Sequence, residues 1–175
     1  PERARFLLAL TGPPVVDPRS GRSFPLVGLE AATATGDVFV GEAQLAIPDA
    51  PGPAALSHIE VASDGYVAGV EVSVKVLHGR PQQLVIDLRA PDGAEVTLHD
   101  RGAGTATAEG GEATLGATGV WATYPGDTQP AESLDALLDR PAGGTWTLEV
   151  ADVDPSPTPG APPSIVGWAL RLATG

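Results

Sequence analysis

Apolar and polar positions alternate with period two in five places along the chain. In Val70-Glu71-Val72-Ser73-Val74-Lys75-Val76 the four valines share one face of an extended segment, and Glu71, Ser73 and Lys75 share the other. The pattern recurs at Leu84/Ile86/Leu88 against Val85/Asp87/Arg89, and at Val96/Leu98 against Glu95/Thr97. It appears again at Trp146/Leu148/Val150 against Thr145/Thr147/Glu149, and at Val166/Trp168/Leu170/Leu172 against Gly167/Ala169/Arg171. Each run predicts a strand with one dry face and one wetter face. Such sheets are usually antiparallel, and two of them bury their dry faces against each other.

The runs are separated by turn chemistry: Ser63-Asp64-Gly65, Gly79-Arg80-Pro81, Pro91-Asp92-Gly93 and Arg140-Pro141-Ala142-Gly143-Gly144. No long stretch has a 3.6-residue period. Glu132 to Leu138 reads as at most two helical turns, or as a loop that drops leucines into the core. The predicted fold class is therefore all-β, an antiparallel sandwich of closely spaced strands. Two segments stand apart. Residues 100–118 are small and Gly-rich and read as a long loop, and 152–163 holds five prolines and reads as a stiff extended connection.

Composition narrows the function classes. The 22 Gly and 18 Pro of 175 residues fall between apolar runs, so they act as punctuation instead of forming a low-complexity tract. Cys is absent, which excludes disulfides and Cys-based zinc or iron centres. A formal charge of −12 makes nucleic acid an unfavourable partner, because phosphate binding needs a basic stripe. No apolar run nears the ~18 residues of a membrane helix. The chain opens on Pro1 without a cationic, apolar targeting segment, and the expectation is a mature product or an excised fragment. Charge is uneven: 4 basic against 5 acidic residues in 1–46, and 6 against 17 in 47–175. A boundary near Pro48 is expected, with 1–46 as an extension or arm.

Few residues offer chemistry. No Gly-x-Ser-x-Gly elbow occurs, and His58, His78 and His99 are scattered and read as strand-edge or turn residues. Trp146 and Trp168 are large enough to span the ~10 Å between packed sheets and read as core. Gly144 lets the chain turn into its strand. Trp121 and Tyr124 lie outside the strong alternation and are the candidates for an exposed partner contact. Asp152 and Asp154 alternate along an extended segment; they are either solvated or turn-capping acids, the favoured reading, or two ligands of a Ca²⁺ ion, which takes six to eight oxygens.

The order of these elements resembles the P domain, or Homo B domain, of subtilisin-like proprotein convertases and related bacterial secreted proteins. The resemblance covers about 47–175. It begins at Ile47-Pro48-Asp49 and continues through Ser57-His58-Ile59-Glu60-Val61, the run from Gly69 to His78, and Leu84 to Gly93. It ends with Gly144-Thr145-Trp146-Thr147-Leu148-Glu149-Val150-Ala151-Asp152 and Gly167-Trp168-Ala169-Leu170. Gln82-Gln83 stands where the family typically has Gly-Asp, and Pro162-Pro163-Ser164 replaces a Gly before the closing strand. The resemblance implies a jelly-roll, galactose-binding-like sandwich in which His78 is structural. It also implies a secreted or cell-surface location and calcium near Asp152 and Asp154 in some members. The function it implies is a non-catalytic accessory module that stabilises or docks onto a subtilisin-like protease. Two alternatives stand beside it: a surface-assembly protein whose arm mediates subunit contacts, and a carbohydrate-binding module.

Overall fold

The computed structural model describes residues 14–16, 23–25, 36–42, 44–104, 119–126, 128–156 and 160–175; the side chains of 14–16, 23–25, 102–104 and Trp121 are outside that description. The chain divides into two compact units, Pro1–Gly36 and Asp37–Gly175. In the first, β1 (Pro14–Val16) pairs antiparallel with β2 (Ser23–Pro25).

The second unit is the predicted sandwich. Its strands are β3 (Asp37–Val40), β4 (Leu45–Ala46), β5 (Ala55–Val61), β6 (Val67–Leu77), β7 (Leu84–Arg89), β8 (Glu95–Gly104), β9 (Gly119–Tyr124), β10 (Gly144–Asp152) and β11 (Ser164–Thr174). One sheet has the order β5-β10-β7-β8; the other has β3-β11-β6-β9, with β4 also on β11. All pairings are antiparallel. Alternation puts Ile59, Trp146, Leu148, Ile86 and Leu88 inward from the first sheet and Val72, Val74, Val76, Trp168 and Leu170 inward from the second, all buried. The segment at Glu132–Leu138 resolves into one 3₁₀ turn, Leu134–Leu137, started by the Ser133 side chain and burying both leucines.

Three expectations are corrected. The sandwich starts at Asp37, ten residues before the expected boundary, because β3 and β4 complete the sheet on β11 and Phe39 and Leu45 pack against the core. In β11 the core position belongs to Ile165 and not to Val166, since a bulge between Ile165 and Gly167 shifts the register on β6. The loop expected at 100–118 begins later, because β8 runs on to Gly104; 105–118 lies outside the described residues. The same holds for residues 157–159 of the Pro-rich connection.

The first correction has a measurable consequence. A chain trimmed to 47–175 loses β3 and β4 and uncovers the β11 edge, and it is expected to be less stable than 37–175 by about 2 kcal/mol, the burial of roughly one large apolar side chain. Urea unfolding of the two forms checks this; equal midpoints would return the boundary to Pro48.

Candidate functional site

The densest polar chemistry lies at the end of the sandwich where β6 leaves one sheet and β7 enters the other. Between them Pro81–Gln83 forms a 3₁₀ turn. His78, one residue past β6, is buried with its Nε2 3.1 Å from Asp152 Oδ2, and Asp152, the last residue of β10, is buried too. His78 Nδ1 meets the Arg80 backbone, 2.9 Å from its carbonyl oxygen and 3.1 Å from its nitrogen.

The second carboxylate oxygen of Asp152 is also engaged. Oδ1 accepts the backbone N–H of Asp154 at 3.0 Å, and Asp154 Oδ1 accepts the N–H of Ser156 at 2.8 Å. Each acid thus closes a turn two residues ahead of itself, the local bonding that Asp favours. Hydrogen bonds from Ser156 hold the half-buried Asp154 carboxyl below the usual carboxylate range. The loop is fastened to the 3₁₀ turn by Val153 N–H donating to Gln83 O at 2.9 Å and by the buried Gln83 amide, which reaches Ser156 O at 3.4 Å. A Ca²⁺ ion takes six to eight oxygens, and these two carboxylates would supply it in competition with the hydrogen bonds they make. Among the described residues no group of three or more His, Asp or Glu is placed to hold a metal ion.

His99 sits at the same turn, a position that strand alternation alone hides. β7 pairs His99 with Ile86 and Thr97 with Asp87, so Leu98 is an extra residue in β8, and both Leu98 and His99 turn inward. His99 Nε2 donates to the Pro81 carbonyl at 2.9 Å, and its Nδ1 is buried without a partner. Burial lowers its pKa from the ordinary imidazole value. The bulge has no sequence signal in Thr97-Leu98-His99-Asp100.

The other singled-out residues separate cleanly. Trp146 is fully buried and donates Nε1–H to Ala142 O at 2.9 Å. Trp168 is buried and donates to Ser57 Oγ at 2.7 Å, which in turn donates to Glu42 O at 3.1 Å, joining the two sheets. A Cβ at Gly41 would run into that indole. Gly144 has φ +120, in the region that favours glycine, and a Cβ there would press on Pro91. Tyr124 corrects the expectation of an exposed contact: it is fully buried, opposite Val72, and burial pushes its hydroxyl up to about 12. Alternation along β9 puts Val120, Ala122 and Tyr124 on the dry face. Trp121 stands across from Lys75 in register, and its side chain lies outside the described residues.

Exposed apolar surface lies elsewhere. Val38 and Val40 of the edge strand β3 are 54% and 77% exposed, and Leu56 on the edge strand β5 is 47% exposed. Over the outer face of the β5-β10-β7-β8 sheet, Arg89 bridges Glu95 and Glu149. Burial raises the Asp87 carboxyl on that face, aided by Glu95, Glu149 and Glu132.

A family model described as the proprotein convertase P-domain matches residues 67–172. The chain belongs to the P-domain family. A leupeptin-inactivating enzyme of Streptomyces exfoliatus is 37% identical over 73 residues, 41% of this chain and 17% of that enzyme. The fold is similar to a serine protease of Aeromonas sobria, with a TM-score of 0.57 and 16% identity over 99% of this chain and 40% of the protease. The same protease in complex with the chaperone ORF2 gives a TM-score of 0.55 at 17% identity, over 98% of this chain and 39% of the other. The P domain thus spans less than half of each relative. Its match starts at Val67 and ends at Leu172, so it takes in both bulged strands, the 3₁₀ turn, His78, His99 and Asp152. Among the described residues no helix is long and apolar enough to cross a membrane.

Proposed function

We propose that this P domain is a non-catalytic module that stabilises a protease catalytic domain by docking against it, outside the cell. P-domain membership carries the reading, and the disposition of the described histidines supports it. His78 and His99 are buried against backbone and Asp152, and the exposed His58 shares a hydrogen bond with the Thr147 hydroxyl across β5 and β10. His58 and His99 have no serine hydroxyl among their described hydrogen-bond partners, whereas nucleophilic catalysis needs a serine held on a base that an acid orients. The exposed valines of β3 supply apolar area of the kind that docking interfaces use at their centres.

Mixing the purified chain with a subtilisin-like catalytic domain stripped of its own P domain tests the docking. At a concentration 100 times Kd, mass action raises the protease's stability by about 2.7 kcal/mol, and the melting temperature climbs with added chain. The chain alone is expected to cleave neither peptides nor glycosides. An unchanged protease melting curve at every ratio sinks the docking, and reproducible hydrolysis by the chain itself sinks the non-catalytic reading.

A further inference from the structure

The Pro81–Gln83 turn is held by two imidazoles in place of an ordinary cap. Arg80 precedes it with no side-chain cap, and Pro81 has no N–H to contribute. The Arg80 backbone meets His78 Nδ1 through both its carbonyl and its nitrogen, while the Pro81 carbonyl accepts both the Leu84 N–H and His99 Nε2–H. The Gln83 carbonyl then accepts Val153 N–H, so the loop after β10 hangs on the same turn. A carbonyl can only accept, and this fixes the His99 proton on Nε2 and the lone pair on Nδ1. That lone pair is buried and faces no donor among the described residues.

We propose that this end of the P domain is an acid-sensitive latch: a proton taken up at His99 Nδ1 puts a charge and an unmet donor in the core, and the turn at 80–83 opens together with the loop at 152–156 to let water reach it. Buried charge without a partner is what folded proteins avoid most strongly. The charged neighbour acting on His99 is Asp100, next along β8. The facing strand β7 presents Leu84 and Ile86, both apolar and fully buried. Arg80, His78, Asp152 and Asp154 gather about the same turn. The Pro81 bond and Asp100 favour the protonated ring but are outweighed by burial, so the folded pKa lies below the ordinary 6.5. The direction follows by linkage. The closed turn is fully stable above the unfolded value and loses stability as pH falls below it, because the opened state binds the extra proton.

Hydrogen exchange of the backbone amides, compared at pH 6.5 and 5.5, tests the latch. With the opened imidazole titrating near its ordinary value, opening coupled to one proton becomes about fivefold more favourable from pH 6.5 to 5.5, which offsets all but about twofold of the tenfold slowing of hydroxide-catalysed exchange. The expected result is that Gln83, Leu84 and Val153 slow only about twofold, while amides of the β5–β10 ladder slow about tenfold. In His99→Gln, whose amide NH₂ can still donate to Pro81 but does not titrate, the three amides are expected to slow like the rest. Uniform tenfold slowing in the parent overturns the latch, and so does a twofold slowing that survives in His99→Gln. If that variant does not fold, the parent's imidazole C–H resonances decide. Titration of His99 near 6.5 with the three amides still protected overturns the proposal, and a midpoint below 6.5 that coincides with their loss of protection supports it.

Discussion

Trp146→Ala is expected to cost about 3–5 kcal/mol in a urea unfolding experiment, the range for emptying a large aromatic site in a core. The indole is fully buried, and its Nε1–H satisfies the Ala142 carbonyl just before the strand begins. The substitution therefore opens a cavity and also leaves that carbonyl without its donor. Gly144 supplies the turn between the two at φ +120, so the backbone there has little freedom to collapse into the void. Leu56→Ala is the control, because an exposed position is worth about 0.5 kcal/mol or less. A Trp146→Ala midpoint as close to the parent's as the control's would move this side chain out of the core and reopen a ligand-stacking role for it.

The core was legible because its strands alternate. Val72, Val74 and Val76 and the pair Trp146 and Leu148 could be placed inward from sequence alone, since a strand between turn signals has only two faces and one of them was uniformly apolar. β3 was not legible for the same reason reversed. Val38-Phe39-Val40 is uniformly apolar, but only Phe39 packs against the core while both valines are exposed, so its apolar content marks surface as much as interior. Membership of a sheet is decided by pairing to β11, and a four-residue edge strand carries almost no local signal of its partner.

Bulges account for the remaining differences. A single extra residue in β11 exchanged Val166 for Ile165 in the core, and one in β8 carried His99 inward beside Leu98. Period-two reasoning assumes an unbroken ladder, and each bulge inverts it from that point on. The polar end of the sandwich was half visible. Asp152 and Asp154 stood out as alternating acids and His78 as a strand-end imidazole, yet their contact spans 74 residues and depends on β6 and β10 ending at the same level. Gln83, read as a departure from the family pattern, is the residue onto which the acidic loop docks.

Asp152→Ala is expected to destabilise the chain by about 3–5 kcal/mol, the range for removing one partner of a buried pair. The change takes the carboxylate away from His78 Nε2 in a buried site and also frees the Asp154 N–H that Oδ1 holds. Asp152→Asn keeps one acceptor oxygen, and roughly half of that loss is expected. The same variants separate the two readings of the acidic loop. As turn-capping groups, Asp152 and Asp154 act equally with or without divalent ions, and calcium and magnesium at equal ionic strength shift the melting temperature alike, by screening a net charge of −12. A calcium ion held there would instead stabilise by RT ln(1 + [L]/Kd), saturate with concentration, and ignore magnesium. A calcium-only shift that disappears in Asp152→Ala would mean that a metal ion uses these carboxylates. The cost of Asp152→Ala would then be larger with calcium than with a chelator, by RT ln(1 + [L]/Kd).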